Sequence, residues 1–191
     1  MGIRIKDVTF SYADKPLYAQ LSLELPDRGL YALTGASGSG KTTLLRLIAG
    51  LQRPQAGRIE VDGRIAAVFQ EDRLLPWMTA LENVAAVSDN ERARQMLDAV
   101  GLSGEYDRFP RELSGGMCRR VAIARALAFG GEVLLLDEPF NGIDRDTLQP
   151  ILDRVLAVGQ ERLVLLVTHD EALLAQCDAR LISVENLVQS H

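Results

Sequence analysis

The sequence predicts an α/β protein organised around a phosphate-binding turn, and three observations carry that prediction. First, Gly35 to Thr43 reads G-A-S-G-S-G-K-T-T and holds the whole pattern G-x-x-x-x-G-K-[ST] from Gly35 to Thr42. Second, this turn joins a short apolar run, Leu30 to Thr34, to a helical one, Thr42 to Ala49, with Gly50 where a helix stop belongs. Third, the apolar runs Val133 to Leu136 and Leu163 to Val167 each lead into polar residues, as strands buried on both faces of a parallel sheet do.

With 191 residues the chain makes one domain, or one domain carrying an inserted lobe, with a sizeable core. Its 47% hydrophobic and 25% charged residues fit an ordinary soluble globular protein. A net charge of −5 with only Lys6, Lys15 and Lys41 as lysines makes a poor general nucleic-acid binder. Cys118 and Cys177 form no C-x-x-C pair, which points away from a disulfide framework or a zinc site and towards a reducing cytosol. No basic-then-apolar leader opens the sequence, and the apolar runs are too short to cross a bilayer, so any membrane role must come through a partner.

Taken in order, Ile3 to Phe10 alternates loosely, a turn follows at Ala13-Asp14-Lys15-Pro16, and Leu21 to Leu25 alternates cleanly, as strands of a half-exposed sheet do. Tyr12 beside them suits either packing or stacking on a purine. In the turn that follows, the glycines let backbone N–H groups face phosphate oxygens, Lys41 supplies a point charge, and the Thr42 hydroxyl is the expected magnesium ligand. Gly57 to Val61 and Ile65 to Phe69 read as two strands joined by a turn at Asp62-Gly63.

From Gln70 to Trp77 the chain reads as an irregular connection with an apolar tip, suited to a partner contact or to packing inside a helical lobe. Thr79 with Glu82, and Ser88 with Glu91, each form an [ST]-x-x-E capping box, and Ala93, Met96, Leu97 and Val100 share a helical face. Ser114-Gly115-Gly116 before the helical run Val121 to Phe129 reads as a helix cap or as a second anion site. At the carboxyl end of Val133 to Leu136, Asp137 suits a magnesium shell and Glu138 the activation of water, with a plain helix cap as the alternative. Asp144 to Val158 is predicted helical with Gly159 as its stop, and Pro150 implies a kink or a start near Leu148 or Gln149. The strand Leu163 to Thr168 ends at His169, placed for a γ-phosphate contact.

These motifs, in this order along nearly the whole chain, resemble the ATP-binding cassette (ABC) ATPases. Gly35 to Thr42 looks like the Walker A motif, Gln70 the Q-loop, Leu113 to Gly116 the LSGG signature, Val133 to Asp137 Walker B, Asn141 to Asp144 the D-loop and His169 the switch histidine. The resemblance implies a P-loop NTPase (RecA-like) core with an N-terminal antiparallel β subdomain and an inserted α-helical subdomain, the core being 1–70 and 126–191 and the helical part 71–125. It implies ATP and Mg²⁺ as cofactors, with Tyr12, Gly35, Ala36, Ser37, Gly38, Ser39, Gly40, Lys41, Thr42 and Thr43 on the nucleotide and Thr42, Gln70 and Asp137 on the metal. Glu138, His169 and Gln70 would then be catalytic, and Ser114, Gly115, Gly116 and Asp144 would meet the nucleotide across a head-to-tail homodimer or a pair with a similar subunit.

Val68 to Trp77, running on to Leu81-Glu82-Asn83-Val84, looks most like importers of the nitrate, sulfonate and taurine group. That implies integral membrane permease subunits as partners, a solute-binding protein indirectly, no nucleic acid, and a peripheral place on the cytoplasmic face of the inner membrane. A soluble cassette acting on nucleic acid or the ribosome is the alternative, and a non-hydrolysing ATP switch ranks below both. Met117 stands where the family pattern has glutamine, and Asn141-Gly142-Ile143 where Ser-Ala-Leu is commoner. The last predicted strand ends near Val188, so a minimal or shortened cassette is expected.

Overall fold

A computed structural model describes residues 2–13 and 15–189, without the side chains of Asn186, Val188 and Gln189. Asp14, in the turn expected between the first two strands, lies outside the described residues. The strands are β1 (Ile3–Tyr12), β2 (Lys15–Leu25), β3 (Gly29–Thr34), β4 (Ala56–Val61), β5 (Ile65–Val68), β6 (Val133–Asp137), β7 (Leu163–Val167) and β8 (Arg180–Ser183). The helices are α1 (Lys41–Ile48), α2 (Ala80–Ala85), α3 (Asn90–Ala99), α4 (Gly115–Phe129), α5 (Arg145–Glu161), α6 (Glu171–Cys177) and α7 (Val184–Gln189).

Two sheets result. β2-β1-β4 is antiparallel, and β5-β6-β7-β3-β8 is parallel throughout. The loose alternation of β1 has a physical cause: the register shifts between Ile5 and Val8, with Asp7 in a left-handed conformation at φ 51°. This bulge moves the inward set from Ile3 and Ile5 to Val8 and Phe10, all buried. The two strands on either side of Asp62-Gly63 do not form the expected hairpin. β4 pairs with β1 and β5 with β6, so the connection carries the chain from one sheet to the other.

Period-two alternation divides the core. Val133, Leu135, Leu163 and Leu165 face the antiparallel sheet and α1, packing with Ile3, Ile5, Leu44 and Leu45. Leu134, Leu136, Val164 and Leu166 face the opposite way, against α4, α5 and the helices of the inserted lobe. Within that lobe Ala93, Met96, Leu97 and Val100 are buried as their spacing predicts.

Several ends differ from the sequence reading. Thr79 and Glu82 make their capping box. Ser88 does not: Asp89 caps α3 by accepting from Arg92 N at 2.8 Å, while Ser88 Oγ donates back to Val84 O. Helix α5 starts at Arg145 behind the Asp144 cap and runs through Pro150 and Gly159 to Glu161. Gly159 is therefore not a stop but a close-packing site, since a Cβ there would stand 3.3 Å from Leu30 Cβ on β3. The segment around Val188, expected as the end of a strand, belongs to helix α7. Among the described residues no helix is long and apolar enough to cross a membrane.

Candidate functional site

The carboxyl edge of the parallel sheet and the N-terminus of α1 enclose a cleft of about 340 Å³. Its walls include Tyr12, Lys41, Thr42, Gln70, Asp137, Glu138 and His169, which are the residues that the sequence motifs single out from five separate segments. The volume is that of a small-molecule site.

The turn before α1 is shaped by glycine. Gly35, Gly38 and Gly40 have φ of 142°, 80° and 105°, a region open to glycine and strained for other residues. Gly40 is required a second time, because a Cβ on it would sit 2.5 Å from the Tyr18 hydroxyl. That hydroxyl donates to Gly40 O at 2.8 Å and fixes the loop from β2. Gly40 is also the N-cap residue of α1 and makes no side-chain cap, so the helix presents its first N–H groups to an anion. Lys41 is 6% exposed and its ammonium donates to Gly35 O and Ala36 O at 2.8 and 2.9 Å. A buried cation at a helix N-terminus calls for a negatively charged ligand.

Facing it, the Thr42 hydroxyl donates to Asp137 Oδ1 at 3.2 Å. Asp137 is fully buried, and its other oxygen, Oδ2, has no hydrogen-bond partner among the described residues. A hydroxyl and a carboxylate with one buried oxygen to spare are the oxygen donors that Mg²⁺ takes, so the residues fit the metal. Burial pushes the Asp137 carboxyl above the usual range, opposed by the Thr42 bond and by the charges of Arg46 and Lys41. Glu138 follows in a left-handed conformation, φ 50°, a strained state for a non-glycine residue. Its N–H donates to Val167 O at 2.9 Å, locking the end of β6 to β7. Burial raises the Glu138 carboxyl too, against the lowering charge of His169, whose Nε2 stands 3.4 Å from Oε1.

Tyr12 lies half exposed at the rim, its ring edge-on to Phe10, with its hydroxyl 3.2 Å from Thr43 Oγ1 and accepting from Gln52 at 2.8 Å. Ser114, Gly115, Gly116 and Asp144 do not line this cleft. Ser114 caps α4 by accepting from Met117 N, and Asp144 caps α5 by accepting from Thr147 N. The first turn of α4 meets the loop before α5: a Cβ on Gly116 would fall 2.4 Å from Gly142 O, while one on Gly115 would meet nothing within 4 Å. Gly116 thus admits the 141–144 loop and Gly115 stays open.

Sequence reasoning missed Lys15, Pro16, Leu17 and Val167 on the cleft wall, and Tyr18, Gln52 and Glu185 behind it. Tyr18 lies out of phase with the Leu21 to Leu25 alternation and turns inward only because β2 is irregular at Gln20, φ 55°. Gln52 had no signal. Glu185 accepts from Ala36 N at 2.8 Å from the far end of the chain, a meeting only the folded β3–β8 pairing creates.

A phosphate cradle, a buried hydroxyl–carboxylate pair and a second carboxylate at the same sheet edge define a P-loop nucleoside-triphosphatase. The family model described as ABC transporter matches residues 18–141. An aliphatic sulfonates import ATP-binding protein, SsuB 1, of Rhodococcus jostii is 44% identical over 181 residues, covering 89% of this chain and 74% of that protein. Its counterpart SsuB in Zymomonas mobilis is 37% identical, covering 97% and 82%. The ATP-binding cassette MJ0796, solved as a dimer in a post-hydrolysis state bound to ADP and Pi, superposes with a TM-score of 0.86 at 29% identity, covering 95% of this chain and 93% of that one. The chain belongs to the ABC transporter family as an ATP-binding cassette, an ATPase that works with ATP and Mg²⁺.

Proposed function

We propose that this chain is the ATP-hydrolysing subunit of a membrane importer for a small sulfonate, acting as a head-to-tail dimer on permease subunits at the cytoplasmic face of the inner membrane. The observation that carries the catalytic part is the convergence of Lys41, Thr42, Asp137, Glu138 and His169 on one cleft. Lys41 and the N–H groups of Gly38 to Thr43 hold the phosphates, and Tyr12 stacks on the base. Thr42, Asp137 and Gln70 would hold Mg²⁺, which would supply neutralising positive charge for the phosphates. Glu138 takes the proton of the attacking water as its oxygen bonds to the γ-phosphorus and the bridging P–O bond to the β-phosphate breaks. His169 holds Glu138 on one side and is free to reach the γ-phosphate on the other.

Ser114, Gly115, Gly116 and Asp144 serve the partner subunit's nucleotide, which is consistent with their lying outside the Lys41 cleft. The same reading divides the chain into a core, 1–70 and 126–191, and a helical part, 71–125, although α4 runs through that second boundary as one helix. The tip beyond Gln70 serves two purposes. Leu74 packs on the helical core, whereas Trp77 is 69% exposed and is offered to the permease.

The sulfonate reading is supported by the names of the relatives above, and it is tested by deleting the gene from its host and measuring uptake of a labelled short alkanesulfonate. Uptake is expected to vanish and to return with the intact chain but not with Glu138→Gln. Unaltered sulfonate uptake in the deletion strain refutes the solute assignment.

A further inference from the structure

Helix α4 carries three arginines whose heads point into protein rather than water. Arg119 is 8% exposed, and its guanidinium donates to Phe69 O at 2.5 Å and to Gln70 O while standing 3.1 Å from Asp72 Oδ1. One and a half turns further on, Arg125 donates to Asp72 O at 2.9 Å and to Arg73 O at 3.0 Å. Two planar heads from one helix thus hold the carbonyls of Phe69, Gln70, Asp72 and Arg73. Arg73 sits in a left-handed conformation, φ 48°, which such a clamp can enforce. Arg120 provides the contrast. It is 9% exposed, but its head donates to Val100 O and Gly101 O at 3.1 and 2.8 Å, inside the helical lobe.

We infer that Arg119 is a positioning residue for the ATPase reaction: with Arg125 it fastens the backbone of residues 69–73 to α4, so that Gln70 and the Ser114 cap of the same helix move as one body. An α-helix transmits displacement along its axis with little loss, and Ser114 and Arg119 are little more than one turn apart. A guanidinium suits this task because its donors point in fixed, coplanar directions and remain charged at any physiological pH. Lysine gathers its donors on one freely rotating nitrogen and lacks the fixed pair of coplanar nitrogens that meet Phe69 O and Gln70 O here. Movement of the 70–77 tip is therefore passed to Ser114 through the arginine heads, and occupancy beside Ser114 is passed back to Gln70.

The inference rests on the proposed role of Gln70 at the metal, and the experiment separates the two. Steady-state ATPase of Arg119→Met, Arg119→Lys, Gln70→Ala and Arg120→Met is measured against ATP and against Mg²⁺, with amide exchange of residues 69–73 followed in nucleotide-free protein. In Arg119→Met and Arg119→Lys, kcat is expected to fall about tenfold and half-saturating Mg²⁺ to rise at least about threefold, with KM for ATP within about twofold, because Arg119 touches no residue of the Lys41 turn. Exchange at 69–73 accelerates at least about tenfold in Arg119→Met and is unchanged in Arg120→Met, although both variants lose a buried pair of bonds and both melt earlier. Asp72→Asn combined with Arg119→Met is expected to be no slower than Arg119→Met alone. Normal kcat in Gln70→Ala overturns the reading of Gln70 and the inference with it. A defect in Gln70→Ala with normal Mg²⁺ dependence in Arg119→Met, or equal effects in Arg119→Met and Arg120→Met, overturns the inference alone.

Discussion

Asn83 is fully buried on α2, and its side chain does the work of a missing turn. Its Oδ1 accepts from Leu75 N at 2.7 Å, and its Nδ2 faces Leu75 O, Met78 O and Thr79 O at 3.1, 3.0 and 3.0 Å. The amide has only two hydrogens for those three carbonyls, so three bonds in all are the most it can make at once. At a net worth of about 0.5–1.5 kcal/mol each, with buried partners left behind, Asn83→Ala is expected to cost about 2–4 kcal/mol. For a domain of this size that lowers Tm by about 5–15 °C.

The chain's single tryptophan, Trp77, lies inside the loop that Asn83 holds, so it reports locally. Thermal melts followed by circular dichroism give the stability change, and Trp77 anisotropy at low temperature gives the loop's order. Anisotropy is expected to fall while far-ultraviolet dichroism stays native. Asn83→Asp keeps the acceptor, loses both donors and buries a charge. It should be worse than alanine at pH 7 and recover as acid neutralises it. A loss below about 1 kcal/mol for Asn83→Ala, with unchanged anisotropy, would refute the account of how this loop is held.

Further expectations concern the caps and the carboxylates. Gly116→Ala drives a methyl to 2.4 Å from Gly142 O, so the 141–144 loop must shift at about 1–3 kcal/mol. Gly115→Ala, with nothing within 4 Å, should raise stability by up to about 1 kcal/mol through helix propensity, yet lower ATPase activity if a partner's phosphate approaches there. Melts and turnover on the same two variants check both. Glu138→Gln should abolish turnover and, in nucleotide-free protein at pH 7.5, raise Tm. Burial holds this carboxyl above its ordinary value of 4.5, so its favourable contribution is full below that value and is lost as pH rises through the raised one. Above that raised value the wild-type group is charged where charge is disfavoured, and the gain in Glu138→Gln should shrink towards zero as pH falls below 4.5. A stability gain that does not vary with pH would contradict this.

Much of the site was legible because its chemistry is local in sequence. The glycines, Lys41 and Thr42 are contiguous and must be so, since one turn and one helix end form the cradle. Asp137, Glu138 and His169 could be assigned to one edge because buried parallel strands carry their ligands at their carboxyl ends. The face of α3 and the Thr79 cap followed from spacing alone. Where spacing misled, a competing neighbour won. Asp89, one residue on, out-competed Ser88 for the α3 cap, and Gly159 was demanded by the closeness of Leu30 rather than by a helix end.

The sequence by itself carried the phosphate-binding turn, the class of reaction and the sheet edge at which Asp137, Glu138 and His169 gather, because motif and strand polarity are one-dimensional properties. Only the tertiary structure decided which sheet received β4 and which β5, because pairing partners are chosen by hydrogen-bond vacancies and core faces that lie far apart in the chain. Only it brought Glu185 to the phosphate turn, Tyr18 beneath Gly40, and the arginines of α4 onto the backbone around Gln70. Each of these is a side chain meeting a backbone group at long range, and a backbone carbonyl or amide carries no letter in the sequence.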